Sequence, residues 1–291
     1  MEIKLTYEGN LADSNNLDFY DLAQAMVGFQ RSLAITTHLV INGTIITQAP
    51  ALKGARILST APRPGSVEIL AALGLLAGGL YALGTAPKDT PIGHLVYSLY
   101  DYAIKRLTGN HVDFDKSLGQ QIADANKSRT PEMPSVPALD DKRVDSLLEK
   151  IEPAIIDMHR QIVKSHTASK AKLYVPSRPS LKPIEFSQES YDALVDVKLD
   201  DVAIDIVGKV SSYNINTFRG RVFVAKEKRP IPFILSDVAK SSGNVSKITR
   251  SLRANASMAG TSEADIKLSA FPNYSITGRL KSFVVIDVED V

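Results

Sequence analysis

An 18-residue run without a charged side chain, residues 69–86, limits the possible folds of this chain more than any other feature. As a helix, such a run would be ~27 Å long, just under the ~30 Å hydrocarbon thickness of a bilayer. Gly74 and Gly78 are four residues apart, a spacing that lets two helix backbones approach closely. The sequence therefore predicts an apolar helix that packs against a second helix.

The second helix is predicted a little further along the chain. Leu95, Leu99, Tyr102 and Leu107 recur at helical spacing, and Gly109 follows them as a terminator. Together the two helices would form a hydrophobic hairpin over residues 67–108.

Burial and membrane insertion are the two alternatives for this hairpin. Burial is favoured, because the run is short for a span and its four glycines each cost about 1 kcal/mol of helix stability relative to alanine. A helix that is apolar all round must still be covered on all sides, which predicts self-association. The residues expected at that interface are Gly74, Leu75, Gly78 and Tyr81.

Composition describes an ordinary folded protein. The chain has 291 residues, 44% of them hydrophobic and 23% charged, with a formal net charge of +2. That balance excludes wholesale disorder and gives no overall attraction to nucleic acid or anionic lipid. The sequence contains no Cys, which excludes thiolate chemistry and fits a reducing compartment. We expect a cytoplasmic protein, associated with the inner membrane only if the apolar helix inserts.

The chain divides into three regions by pattern. Residues 1–126 alternate strand and helix signals around the hairpin and predict an α+β domain that begins with a strand at Ile3, Leu5 and Tyr7. Residues 127–196 begin with a Pro-rich stretch and continue into a helix, so they predict a linker and a bridging helix. Residues 197–291 are rich in β-prone segments and form the last domain.

The order of elements in the last domain is the most specific fold signal. Three β-rich segments are followed by a helical segment over residues 238–257 and by two further β-rich segments. An OB-type barrel carries a helix between its third and fourth strands, so we predict an OB-like small barrel, although other small barrels fit nearly as well.

Positive charge is concentrated in this barrel. Residues 205–281 contain 13 Lys and Arg against 5 Asp and Glu. Strand periodicity puts basic and aromatic side chains on shared faces, a combination suited to single-stranded nucleic acid or a nucleotide. The alternative is that the phenylalanines are core and the cations a solvated rim. The predicted ligand-binding residues are Lys209, Arg219, Arg221, Phe223, Lys281 and Phe283.

Catalytic and metal motifs are not evident. The five histidines show no metal-ligand spacing, and the His111-Val-Asp-Phe-Asp115 segment is explained equally well by a polar turn. No phosphate-binding or nucleophile-elbow motif occurs. We therefore predict no cofactor, no metal and no enzyme, with a hydrolase of unrecognised site as an alternative.

Two stretches resemble a known family: Leu17 to Thr37 leading to Arg63-Pro64-Gly65-Ser66-Val67-Glu68, and Val207-Gly208-Lys209-Val210 through Asn214-Ile215-Asn216-Thr217 to Gly220-Arg221-Val222-Phe223. They are similar to a bacterial two-domain family of uncharacterised proteins found in mobile-element and defence loci. The resemblance implies a role in antiviral defence and carries over no catalytic residue.

The combined prediction is a non-catalytic, self-associating binding or effector protein. Its basic barrel would recognise an anionic ligand, either a nucleic acid or nucleotide, or a protein partner. A membrane-active, pore-forming effector that inserts residues 69–86 is the main alternative.

Overall fold

A computed structural model of the chain describes residues 2–59, 68–77, 80–81, 91–109, 127, 141–179, 181–227, 229–257 and 262–291. The chain divides into two compact units, Met1–Val195 and Asp196–Val291. Each has its own hydrophobic core.

The first unit contains an antiparallel sheet of six strands. They are β1 (Glu2–Glu8), β2 (Ala55–Ser59), β3 (Glu68–Ala77), β4 (Leu80–Tyr81), β5 (Lys170–Tyr174) and β6 (Ile184–Phe186), and the order across the sheet is β2-β3-β1-β5-β6, with β4 paired to β3. Ile3, Leu5 and Tyr7 alternate with more exposed neighbours, as a strand with one buried face requires. The predicted first strand is present.

Five helices in the described ranges of this unit accompany the sheet. They are α1 (Phe19–Asn42), α2 (Pro91–Thr108), α3 (Asp141–Met158), the short α4 (Arg160–Val163) and α5 (Gln188–Val195). Asp18 caps α1 by accepting a hydrogen bond from the Asp21 amide, and Gly43 ends it with a φ of 69°. The Tyr7 hydroxyl donates to the Met158 carbonyl at 2.8 Å, which ties the sheet to α3.

The predicted helix over residues 69–86 is wrong in the described part of that segment. Ile69–Ala77 belongs to β3, which is paired with β1 on one edge and β2 on the other. An apolar run in the middle of a sheet looks the same as a buried helix in sequence, and its glycines weaken a helix further. The helical hairpin over 67–108 is therefore also wrong, since the described residues of its first arm form strands and α2 is the second arm.

The residues predicted for the self-association interface do not lie on a helix where the structure describes them. Gly74 and Leu75 lie in β3 opposite Arg56 and Ala55, and Tyr81 lies in β4 opposite Leu76. Gly78 lies outside the described residues. No helix in the described part of the chain is long and apolar enough to cross a membrane.

Residues 141–195 pack into the first core rather than forming a bridge. The buried cluster that contains Ile3 and Phe29 also includes four residues of α3: Val144, Leu147, Ile151 and Ile155. The Pro-rich segment before α3 lies outside the described residues, apart from Lys127.

The second unit is a closed five-stranded barrel with one added strand and one helix. Its elements are β7 (Val197–Leu199), β8 (Ile204–Asn214), β9 (Arg219–Val224), β10 (Arg229–Leu235), α6 (Ser242–Ser257), β11 (Asp265–Ser275) and β12 (Leu280–Asp290). The sheet order is β12-β10-β9-β8-β11, and β12 also pairs with β11, which closes the ring. β10 and β12 run parallel, and the other pairs in the barrel are antiparallel.

The barrel interior is filled by alternate residues of each strand. The helix α6 contributes Ile248 to the same buried cluster. The buried strand residues include Val222, Ile231, Phe233, Leu268 and Val285. The predicted order of three strands, a helix and two strands is confirmed as a closed barrel.

Candidate anion-binding face

Strand β9 carries the predicted basic and aromatic residues on its outer side. Val222 and Val224 point into the barrel, so Arg219, Arg221 and Phe223 share the opposite face. Phe223 is 37% exposed, which is high for a phenylalanine in the middle of a sheet.

The flanking strands extend this outer face. Lys209 of β8 and Pro230 of β10 lie opposite Phe223, and Pro232 lies opposite Arg221. We call these six residues the β9 face: Lys209, Arg219, Arg221, Phe223, Pro230 and Pro232.

The two prolines lie where strand β10 is paired on one edge only. Strand β10 pairs with β9 from Arg229 to Ile234 but with β12 only from Phe233 to Leu235. Proline lacks an N–H, so it is tolerated where one edge of a strand makes no ladder bond. Pro230 and Pro232 were missed at the sequence level, although proline within a β-rich run indicates such an edge.

Glycine makes close packing possible beneath the face. A Cβ on Gly220 would lie 2.5 Å from the Ser212 carbonyl oxygen and 2.6 Å from the Phe233 ring. Tyr213 stacks on Phe233 with ring centroids 6.2 Å apart. The inner side of the barrel under Arg219 and Arg221 is therefore filled, and only the outer side is available to a ligand.

Acidic residues compensate other cations of the barrel. Lys267 lies 3.3 Å from Asp205 and 2.7 Å from Glu289, and Arg250 pairs with Asp290. The Lys209 and Arg219 side chains make no hydrogen bond or ion pair with any described residue.

The positive charge is thus local rather than spread over the domain. The whole of Asp196–Val291 contains 14 Lys and Arg against 11 Asp and Glu, a smaller excess than within residues 205–281. What distinguishes the β9 face is the position of its cations, not the overall balance of the domain.

Phe283 is not part of a ligand-binding face. It is 1% exposed and belongs to the barrel core. The expectation that it shares a face with Lys281 loses its basis because the β11–β12 ladder contains an irregularity there: Asn273 pairs with Ser282, whereas Tyr274 pairs with Leu280. Lys281 is the extra residue of this bulge, so the period-2 rule does not apply across it.

Two side chains mark the end of the β9 face near Arg219. The Lys240 ammonium lies 5.2 Å from the centre of the Phe218 ring, a cation–π contact, and is bonded to Asp237 at 2.7 Å. Asn214 organises the loop before Phe218, since its Oδ1 accepts hydrogen bonds from the Asn216 and Thr217 amides.

Family models match both parts of the chain. The model described as Domain of unknown function (DUF7946) matches residues 3–195. The chain belongs to this family. Residues 203–289 match a second model, Family of unknown function (DUF7947). The two matches agree with the resemblance to a two-domain family, while no curated protein and no solved structure matches the chain.

The DUF7946 part contains a buried Ser–His pair, an arrangement that activates the serine hydroxyl in many hydrolases. His159 Nδ1 donates to the Ile155 carbonyl, and Nε2 lies 2.8 Å from the Ser190 Oγ. Burial lowers the pKa of His159 to about 4. Both residues are buried, at 0% and 6% exposure, so a substrate does not reach this hydroxyl. The pair joins α5 to the end of α3.

No group of three or more His, Asp or Glu residues in the described ranges is arranged to hold a metal ion. The His111-Val-Asp-Phe-Asp115 segment lies outside those ranges.

Proposed function

We propose that this chain is a binding protein whose C-terminal barrel is of the OB type and binds single-stranded nucleic acid across the β9 face. The proposal for the fold is supported by the order of the strands around the barrel, the parallel β10–β12 pair and the position of α6 between the third and fourth barrel strands. OB barrels bind oligonucleotides on the face of their second and third strands, which here are β9 and β10.

One observation carries the proposal for the ligand. Phe223 exposes its ring on the same strand face as Arg219 and Arg221, with Lys209 directly opposite. Cations attract phosphates, and an exposed aromatic ring stacks on any base, so this arrangement suits a single strand without sequence preference.

Self-association and membrane insertion lose their original support. Both rested on an apolar helix, and Ile69–Ala77 is a strand held on both edges. The proposal keeps the non-catalytic barrel as the functional part of the chain. A role in antiviral defence follows only from the family resemblance and is part of this proposal.

The test is binding of a fluorescent oligothymidylate to the full chain, followed by anisotropy at salt concentrations from about 50 to 200 mM. We expect affinity to fall steeply with salt. Arg221→Gln should reduce the slope of log affinity against log salt by about 1. Phe223→Ala should weaken binding by roughly 1–3 kcal/mol while leaving that slope unchanged.

Arg253→Gln is the matched control for charge, because Arg253 is exposed on α6 in the same unit. It should leave affinity and slope as they are. Equal losses of oligonucleotide affinity in Arg221→Gln and Arg253→Gln would show a non-specific charge effect. Absence of oligonucleotide binding at low salt would overturn the proposal and favour a protein-interaction module.

A further inference from the structure

Strand β7 gives the otherwise closed barrel a free edge. It pairs with β11 through Val197–Leu199, and β12 occupies the opposite edge of β11. The first part of β8, Ile204–Val207, pairs with β11 on the same edge as β7, whereas the pairing of β8 with β9 begins only at Gly208. No described strand pairs with the other side of β7 or of Ile204–Val207. We call the backbone edge of these two segments the open edge.

Two hydrogen bonds show which backbone groups of β7 face the open edge. The Asp200 amide donates to the Pro272 carbonyl at 2.9 Å, so the backbone of Asp200 faces β11. The Ser275 amide, opposite Val197, donates in the other direction, to the carbonyl of the residue before β12 at 2.8 Å. Because the amides of successive residues alternate between the two edges of a strand, both bonds place the Val197 and Leu199 amides on the open edge. These two N–H groups are donors that an added strand can use.

Apolar side chains accompany the open edge. Val207 lies opposite Lys267 of β11, which alternates with the core residue Leu268. Val207 therefore faces outwards, since directly opposite residues of paired strands share a face. The side chains of Val197 and Leu199 are, like that of Val207, about half exposed. In strand addition, backbone hydrogen bonds of this kind give affinity and contacts with alternate side chains give specificity.

The charge beside the open edge is negative. Residues 196–207 contain four aspartates and one lysine. Asp205 is paired with Lys267, but the carboxylates beside β7 make no ion pair with any described residue; they belong to Asp196, Asp200 and Asp201. This excess of negative charge attracts a basic strand. It disfavours a second copy of the chain, because pairing two such edges brings the same negative charges together.

We propose that the open edge binds an extended, lysine- or arginine-rich segment of a partner protein, which pairs with β7 as an added strand. The apolar side chains of that segment pack beside Val197, Leu199 and Val207, and its cations lie near the aspartates. The open edge contains no residue of the β9 face, so this inference does not depend on the proposed function.

The probe is a fluorescent peptide of about nine alternating lysine and valine residues, long enough to span the open edge at ~3.4 Å per residue. Its binding to the full chain is measured by anisotropy at low salt, beside a peptide in which glutamate replaces each lysine. We expect the lysine peptide to bind, and the glutamate peptide to bind at least ~10-fold more weakly. Equal affinities for the two peptides, or no binding of either, would overturn the proposal.

Leu199→Pro tests the added strand directly. It removes the N–H that faces the open edge and leaves the amides that face β11 in place, so the ladder with β11 is kept. Leu199→Ala is the matched control, because it shortens the side chain and keeps the N–H. We expect Leu199→Pro to bind the lysine peptide roughly tenfold more weakly than Leu199→Ala, through the lost hydrogen bond. Equal binding by the two variants would contradict an added strand.

A second pair of variants changes charge without touching the backbone. Asp201→Asn should weaken binding of the lysine peptide about threefold, with a smaller effect at high salt. Asp237→Asn makes the same change in the turn that follows β10, where the carboxylate is 96% exposed, and should leave the affinity unchanged. Equal losses of affinity in the two variants would contradict recognition by the aspartates beside β7.

Light scattering of the full chain without peptide tests the alternative occupant. We expect a monomer, and a dimer that Leu199→Pro disrupts would show that a second copy covers the open edge and would overturn the basic partner. Oligothymidylate binding keeps the two proposals apart. A chain that binds the lysine peptide but no oligothymidylate would retain the open edge and lose the β9 face, and the reverse result would overturn the open edge alone.

Discussion

Arg160 binds Asp21 through two nitrogen atoms, because its Nε and Nη2 both lie 2.8 Å from the same carboxylate oxygen, Oδ1. The Asp21 side chain is 7% exposed, and the Tyr20 ring lies 5.3 Å from the guanidinium carbon on Arg160. This bond joins the first turn of α1 to the start of α4.

Loss of Arg160 should therefore leave a buried carboxylate without its counter-charge. We expect Arg160→Ala to lower the free energy of unfolding by about 3 kcal/mol. Lys170→Met is the control, since it removes a cation from the exposed Glu8 pair at 3.5 Å and should cost less than about 1 kcal/mol. Urea unfolding followed by circular dichroism measures the free energy of unfolding of both variants. Similar losses in the two would contradict the prediction that the buried ion pair contributes more than the exposed one.

The buried His159 predicts a loss of stability in mild acid. Its pKa is about 4 in the folded protein, below the ordinary value of 6.5, because burial disfavours the charged ring. The stability that depends on a neutral His159 is therefore fully present above pH 6.5. It is lost as pH falls towards 4, because the unfolded chain takes up the proton first. The total loss from this group is about 3 kcal/mol.

The measurement is the urea midpoint at a series of pH values for the natural chain and for His159→Gln. The variant is expected to be less stable at neutral pH but to show a flatter profile between pH 6.5 and 4. Parallel profiles for the two proteins would exclude His159 as the source of the acid sensitivity.

Close packing of α1 and α3 depends on Gly28. A Cβ at this position would lie 2.4 Å from the Ala154 carbonyl oxygen and 3.1 Å from the Asp157 Cβ. Gly28→Ala should therefore lower the melting temperature, although alanine is the better helix former by about 1 kcal/mol. In Gly243→Ala, the matched change in α6, the new methyl meets its nearest atom only at 3.9 Å, so this variant should be neutral or more stable.

The barrel was predictable because its signals are local. Short β-prone runs, turn residues between them and one helical segment specify the order of elements, and alternation along β9 puts Val222 inside and Arg221 outside. None of this requires knowledge of residues far away in the chain.

The errors arose where distant pairing decides the structure. Ile69–Ala77 became a strand because β1 and β2 occupy both its edges, and the Ala71 partner is Ile3, far away in sequence. The bulge at Lys281 is likewise set by its alignment with Asn273 and Tyr274. A local pattern contains neither the partner strand nor the register, so it could not separate Phe283 of the core from Phe223 of the face.

The two phenylalanines should therefore respond differently to truncation. Phe283 is 1% exposed within the barrel core, and Phe283→Ala should cost about 4 kcal/mol through lost burial and the cavity left behind. Phe223 is 37% exposed, and Phe223→Ala should cost less than about 1.5 kcal/mol. Hydrogen exchange of the β8–β12 amides reports the barrel separately from the first unit. Faster exchange throughout the barrel in Phe283→Ala, with Phe223→Ala close to the natural chain, is the expected result. A Phe223→Ala variant as damaged as Phe283→Ala would place Phe223 among the structural residues and remove the ring from the proposed ligand-binding face.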